Sequence, residues 1–381
     1  MDPKGLNALV RGIYNSDSEV IPLHSPKLNG SELAYLQDVV DSTFVSSVGK
    51  FVNKCEDYCA SYTKIQRAVA VVNGTAALQV AIRLVGVRDG DEVITQALSF
   101  VATANAIAYN GAVPVFVDVD IDTMGMSPVS LEKFLEQHAE QREGVVYNKG
   151  TGRRISAVLP MHTFGFLCRI EEINRICSKW GLALVEDSAE ALGSFQDGKS
   201  AGSFGEISAF SFNGNKIITS GGGGMIVTNN DLLANRAKHI TTTSKTPHPY
   251  EYFHDEIGYN FRMPNLNAAL LLAQFERLET FKSNKSKIYK LYQEGLGNLG
   301  LDLVPIPETT SIWNHWLFAI RVKSFEEREK FIKGSAEFGI TTRPIWKLLY
   351  KLPMYSSCQK DNQYNAEILE RTIINIPSSS Y

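Results

Sequence analysis

Apolar residues arrive along this chain in two rhythms. Short runs such as Ala68-Val69-Ala70-Val71-Val72 and Ile155-Ser156-Ala157-Val158-Leu159 have the length and composition of buried strands. Between them lie stretches whose apolar positions recur every three or four residues, the spacing of one helix face. In order, the pattern predicts helices over 31–42 and 51–62, a strand over 68–72 and a helix over 76–85. In the first of these helices Leu33, Leu36, Val39 and Val40 fall on one side. Strand then alternates with helix: 92–95 and 103–109, 115–117 and 131–138, 155–159 and 170–180. A further strand over 182–185 ends at Glu186-Asp187, and strand runs over 207–212 and 225–227 flank a polar turn. This alternation predicts an α/β fold with a mostly parallel sheet covered by helices. From about residue 249 the character changes. A polar-aromatic turn over 258–264 leads into a long helix over 265–281, a strand over 316–322, a helix over 325–338 and a strand or loop over 341–344. The expected division is a large domain over 20–248 and a small α/β domain over 249–381, with 1–19 packing nearby.

Bulk properties narrow the class of function. The 381 residues suffice for two domains and a sizeable core. A net charge of −3 argues against a general nucleic-acid binder. No window holds 18 consecutive apolar residues, so no membrane-spanning helix is expected. The start, Met1-Asp2-Pro3-Lys4-Gly5, lacks the charged-then-apolar pattern of a signal peptide, and a cytoplasmic location is expected. The five cysteines contain no C-x-x-C pair, which points to free thiols in a reducing compartment. Without a paired Cys/His set, no metal is expected.

The chemistry gathers at the predicted strand ends, where open parallel sheets bind ligands. Asn73, Phe100, His162 and Asp187 all lie at or just beyond such ends. Asn73-Gly74-Thr75 joins a strand to a helix, either as an anion site at the helix N-terminus or as a plain turn with a threonine cap. Lys216 stands alone in Ser211-Phe212-Asn213-Gly214-Asn215-Lys216, between two strand runs and just before Gly221 to Gly224. A lysine held between buried strands is costly unless something uses it. The reading is that Lys216 forms a Schiff base with pyridoxal phosphate. That cofactor also needs an acid at its ring nitrogen, donors for its phosphate and a flat group against its ring. Asp187 is the candidate acid, with a helix N-cap from Ser188 onward as the plainer alternative. The Thr75 and Ala76 N–H groups and the Ser211 hydroxyl are the candidate phosphate donors. Phe100 is the candidate ring partner, although a lone phenylalanine is more often core.

These segments resemble a known family: Gly74-Thr75-Ala76-Ala77-Leu78, Ser99-Phe100-Val101-Ala102-Thr103, Glu186-Asp187-Ser188-Ala189-Glu190-Ala191-Leu192-Gly193, Phe210-Ser211-Phe212 with Lys216, and Gly258-Tyr259-Asn260-Phe261-Arg262-Met263. They are similar to the DegT/DnrJ/StrS-type sugar aminotransferases, fold-type I enzymes that use pyridoxal phosphate. The resemblance runs from Ile21 through Pro377. It implies that Thr75, Ala76 and Ser211 contact the phosphate, Phe100 stacks on the ring and Asp187 meets its nitrogen. It places Glu190 in the cofactor pocket and Asn260 on the phosphate of a neighbouring subunit, hence a homodimer with shared active sites. Three segments depart from the family pattern. Asn213-Gly214-Asn215 stands where His-Pro is common, Glu190 where glutamine or histidine is, and Gly165-Phe166-Leu167-Cys168-Arg169 replaces Gly-x-Pro-x-Asp. The combination of Asn213-Gly214-Asn215-Lys216, Gly221 to Gly224 and Glu190 resembles the subgroup of legionaminic acid pathway type, which aminates UDP-linked 4-keto-6-deoxy-N-acetylhexosamines. The implied reaction moves an amino group from L-glutamate to C4 of such a sugar, for bacterial surface amino-sugar biosynthesis. The rivals are a pyridoxal phosphate-dependent deoxysugar dehydratase and a non-catalytic nucleotide-binding relative. Arg262, His315, Lys245, Tyr252 and Arg343 are further candidates for substrate carboxylate or phosphate contacts, and Gly221 to Gly224 have no assigned role.

Overall fold

Seven short strands form the first sheet of the computed structural model, which describes residues 3–381. Their order is Arg67–Val71, Gly224–Thr228, Ile207–Ser211, Ala183–Asp187, Ile155–Leu159, Glu92–Gln96 and Val113–Val117. All neighbours run parallel except Gly224–Thr228, which is antiparallel to both of its partners. The sheet is therefore mixed and mostly parallel, as the alternation implied. Its central strands are buried on both faces; Ile94, Ala157, Val158 and Val185 are fully shielded. This explains why they read as continuous apolar runs rather than as alternating ones. The crossover helices Gly74–Leu84, Val101–Ala108, Pro128–His138 and Ile170–Trp180 connect them.

A second sheet has the order Asp302–Leu303, Phe318–Arg321, Ile373–Ile376 and Arg343–Pro344, and is antiparallel throughout. Helices Leu278–Gly297 and Phe325–Glu337 pack against it. The N-terminal helix Pro3–Tyr14 joins this layer, where the Arg11 guanidinium donates to the Phe338 carbonyl at 3.0 Å. We propose a division of the chain near residue 249, with one part around each sheet. Helix Asn265–Phe275 reaches back from the later part onto helix Lys50–Thr63. Asn265 accepts from the Phe51 N–H at 3.1 Å, and the Cys55 thiol donates to the Ala268 carbonyl at 3.0 Å.

Two expectations are corrected. The run over 265–281 is two helices, Asn265–Phe275 and Leu278–Gly297, broken at Glu276-Arg277. The first is apolar on most sides and buried between layers, whereas the second carries an apolar stripe against the small sheet, so one axis cannot serve both. In helix Glu32–Ser42 the expected apolar side is split: Leu33 is 83% and Val40 57% exposed, whereas Val39 is buried, Leu36 is half-buried against the core, and Glu32 joins them inside. Glu32 is tolerated inside because its carboxylate accepts from Gln274 and from the Gly30 N–H, each at 2.6 Å. The hairpin of Ala139–Arg142 and Val145–Asn148 and the helices Asp231–Thr241 and Tyr364–Thr372 were not foreseen. All five cysteines are free, and no described helix is long and apolar enough to cross a membrane.

Lys285 is a buried cation in this architecture. It is 1% exposed, its ammonium donates to the Ser378 carbonyl, and it lies 5.6 Å from the Phe318 ring centroid. Burial pulls it from 10.5 down to about 7. Between those values the unfolded chain holds more of this proton than the folded one, so folding gains stability as pH rises from 7 toward 9. Lys285→Met removes that gain. The melting-curve difference between variant and wild type should change by on the order of 2 kcal/mol, in the wild type's favour, from pH 7 to pH 9. A difference that stays constant over this range contradicts the assignment.

Candidate active site

The carboxyl ends of the parallel strands open into a cavity of about 320 Å³. Thr75, Phe100, Asp187, Glu190, Ser211 and Lys216 line it, together with Asn73, Gly74, Thr103, Trp316 and Trp346. Ala76 and Asn260 do not. A larger groove of about 800 Å³ beside the second sheet contains none of these groups.

One end of the cavity is the turn between strand Arg67–Val71 and helix Gly74–Leu84. Asn73 is extended and its side chain accepts from the Ala76 N–H at 2.8 Å, so asparagine, not threonine, caps the helix. In this structure the Ala76 N–H is engaged by that cap and its side chain is buried. Among the described residues the Gly74 and Thr75 N–H groups have no hydrogen-bond partner, and they lie at the positive end of the helix. The Ser211 hydroxyl, at the end of its strand, sits against the same turn. A Cβ on Gly74 would stand 2.8 Å from the Ser211 Cβ and 3.0 Å from its Oγ, so only glycine permits this approach. Gly224 does the same from behind, because a Cβ there would strike the Asn73 carbonyl. Of the four consecutive glycines, this one now has a clear task. Gly221 supplies a left-handed turn at φ 78°, and none of the four lines the cavity.

The acid sits at the end of strand Ala183–Asp187. Asp187 is 2% exposed; its carboxylate accepts from the Thr103 hydroxyl at 2.7 Å and from the Ala189 N–H at 3.2 Å. Residues 189–193 form turns, so no helix follows for Asp187 to cap. Burial pushes its carboxyl above the ordinary value, opposed by the two hydrogen bonds. His162 also stands at a strand end but faces away from the cavity. Its Nε2 lies 3.0 Å from Glu186, which accepts in addition from the N–H groups of Gly202, Phe204 and Gly205. Backbone bonds from the His162 N–H to the Asp187 carbonyl and from the Asp187 N–H to the Pro160 carbonyl fix the acid's position.

The Lys216 side chain is 13% exposed, and its Nζ lies 3.3 Å from Glu190 Oε1. On another side Nζ lies 4.4 Å from the centroid of the Trp316 ring. The indole N–H donates to the Asn215 carbonyl at 2.7 Å, tying Trp316 to the lysine's own loop. Burial raises the Glu190 carboxyl to about 7, with Lys216 opposing the rise. Phe100 precedes helix Val101–Ala108 with its ring 52% exposed, so it is a cavity wall and not core. Trp316 and Trp346 were missed because each lies far along the chain from the lysine and nothing local marks it.

The other candidates lie elsewhere. The Arg262 guanidinium is spent on Glu56 at 2.7 Å and on the Ala70 carbonyl at 2.9 Å. Lys245 stacks on Tyr252 at 4.1 Å, outside the cavity. Arg343 is exposed, and neither it nor His315 lines the cavity. Asn260 is exposed and pairs with Thr242.

The groups that do converge fit pyridoxal phosphate. Free N–H groups at a helix start beside a hydroxyl suit a phosphate. A buried, hydrogen-bonded carboxylate suits a protonated ring nitrogen, and a partly shielded amine suits a carbonyl carbon. Comparison with known proteins agrees. A family model described as the DegT/DnrJ/EryC1/StrS aminotransferase family matches residues 26–381. GDP-perosamine synthase from Escherichia coli O157:H7 is 37% identical over 359 residues, covering 94% of this chain and 93% of the relative. GDP-perosamine synthase from Caulobacter vibrioides is 33% identical over 367 residues, covering 95% and 94%. The aminotransferase TlmJ from Streptoalloteichus hindustanus superposes with a TM-score of 0.84 at 26% identity, covering 94% of this chain and 93% of its own. The chain belongs to the DegT/DnrJ/EryC1/StrS aminotransferase family and is a pyridoxal phosphate-dependent aminotransferase.

Proposed function

We propose that the protein transfers an amino group from L-glutamate to C4 of a nucleotide-linked 4-keto-6-deoxy sugar. The observation that carries this reading is the meeting of Lys216, Asp187 and the Gly74-Thr75 turn at one cavity. The Gly74 and Thr75 N–H groups and the Ser211 hydroxyl hold the cofactor phosphate. Asp187 keeps a proton on the ring nitrogen, Phe100 covers one ring face, and Glu190 lies beside the reacting amine. When bound, pyridoxal phosphate supplies the electron sink that lets the substrate carbon lose its proton. Lys216 Nζ takes that proton and returns it, while Trp316 and Trp346 keep water from the amine.

Asn260 would serve the site of a second copy, since it is exposed and lies outside its own chain's cavity. Exposed apolar side chains at Leu33, Val40, Phe44 and Val48, and at Tyr250, Tyr252, Phe253 and Ile257, support a homodimer that covers them. Two readings of the sugar follow from different observations. Asn213-Gly214-Asn215 with Glu190 supports a UDP-linked N-acetylhexosamine. The name shared by the two relatives supports a GDP-linked sugar, and identity over nearly the whole chain gives this second reading more weight.

Incubating the enzyme with L-glutamate and a panel of UDP- and GDP-linked 4-keto-6-deoxy sugars, then identifying products by mass spectrometry and NMR, decides between them. An amine at C4 is expected on one nucleotide class; no amino sugar from any member overturns the proposal. Lys216→Ala should lower the rate by roughly 10²–10⁴-fold and stop the cofactor absorbance from changing on addition of glutamate. Gly74→Ala should cost about 1–3 kcal/mol of cofactor affinity by driving Ser211 from the turn, measured by titration of the cofactor-free protein. Unchanged affinity would remove the turn from the phosphate site.

A further inference from the structure

We propose that Glu190 is the proton partner of Lys216: its Oε1 receives the proton that the lysine ammonium gives up, and returns it. In this exchange one Nζ–H bond breaks and leaves its electron pair on nitrogen, and one O–H bond forms on Oε1. An ammonium–carboxylate pair becomes an amine–carboxylic acid pair with no change in net charge. The inference rests on the reading of Lys216 as the group that moves a proton at the substrate carbon. A lysine can take that proton only as a free amine, and this exchange makes the amine without drawing on solvent.

The geometry singles out one oxygen. Glu190 Oε2 is fixed by the Phe164 N–H at 2.9 Å, which leaves Oε1 as the atom facing Nζ at 3.3 Å. Both neighbours of that contact are themselves held. The Asn314 amide donates to the Glu190 carbonyl at 2.7 Å and to the Leu192 carbonyl at 3.0 Å. Phe164 sits at φ 55°, and its carbonyl accepts from the Trp313 indole at 2.9 Å. The Glu190 side chain is 2% exposed, so its carboxyl meets the lysine rather than water. Desolvation penalises the Glu190 carboxylate and so brings its protonated form within reach at the atom that faces Nζ. The Trp316 ring faces the same nitrogen, its centroid 4.4 Å from Nζ.

The remaining titratable groups around the pair are Asp187, which pushes the Glu190 carboxyl up, and His24, which burial, with Lys285 and Lys216, holds well below its ordinary range and therefore uncharged. His162 acts one step further out, on Asp187. With burial as the largest influence, Glu190 is raised to about 7, where it both accepts and releases a proton near neutral pH.

Infrared difference spectra of the cofactor-free protein, titrated between pH 5 and 9, test this apart from any turnover. A protonated-carboxyl band should appear with a midpoint near 7, persist in Asp187→Asn and vanish in Glu190→Gln. In Lys216→Met its midpoint should move up by about one to three pH units, because the facing cation is gone. In the cofactor-loaded protein, Glu190→Gln should remove the limb near pH 7 from the rate profile of the glutamate half-reaction. A merely structural glutamate would leave that profile's shape unmoved. The proposal is overturned if no such band titrates, if the band survives Glu190→Gln, or if Lys216→Met leaves its midpoint in place. A wild-type protein that shows the coupled band but aminates no keto sugar would instead count against the proposed function.

Discussion

A charged side chain taken out of water must be met by charge or hydrogen bonds, or it destabilises the fold by several kcal/mol. This chain buries two such groups, Asp187 and Glu190, at one small cavity beside the partly shielded Lys216. The architecture around them supplies the compensation. The parallel strands end together, so a carboxylate at the last position of one strand meets a hydroxyl from the helix that follows another. That is the Thr103 to Asp187 bond, made across 84 residues of sequence separation. Behind it, Glu186 is enclosed by three backbone N–H groups and His162, which leaves Asp187 free to turn toward the cavity while its neighbour turns away. Two adjacent acids on one strand point to opposite faces, as the pleat requires.

The same constraint explains which parts of the site were legible. Strand ends could be read because buried parallel strands are written as short continuous apolar runs, and the residue after such a run is where ligands are met. Asp187 and the turn after Asn73 came from that logic, whereas Lys216 was marked by standing alone between two strand runs and Ser211 by the cofactor's need for phosphate donors. What the pattern could not show was how each polar group was spent. Ala76 looked like a free donor until the Asn73 side chain was seen to occupy it. Arg262 looked available until Glu56 and the Ala70 carbonyl were seen to hold it. Hydrogen-bond partners distant in sequence decide such cases, and no local periodicity carries them.

Apolar periodicity misled in a different way. Leu33, Leu36, Val39 and Val40 share a helix side, yet Leu33 and Val40 face out. Periodicity reports that a helix has an apolar side, not which surface covers it. If a second copy covers this one, the sequence pattern and the exposed side chains have the same cause. Trp316 and Trp346 are the opposite case. Trp316 lies just before strand Phe318–Arg321 and Trp346 just after Arg343–Pro344, both remote in sequence from Lys216, and only tertiary packing brings them to the cavity.

One topological choice sets both ends of the site. After strand Ile207–Ser211 the chain returns as Gly224–Thr228, antiparallel to it. A parallel continuation would have required a crossover helix. The antiparallel return instead leaves a loop at the carboxyl end of the sheet, and Lys216 is carried on that loop. The returning strand then inserts between Ile207–Ser211 and Arg67–Val71, bringing Gly224 directly against the Asn73-Gly74 peptide. A side chain at 224 would strike the Asn73 carbonyl and the Gly74 nitrogen, so the glycine that admits the strand also shapes this turn. The lysine and the Asn73-Gly74-Thr75 turn are thus placed by one strand reversal. This is why a residue outside the cavity, at the end of an otherwise unassigned glycine run, is as constrained as the residues that line it.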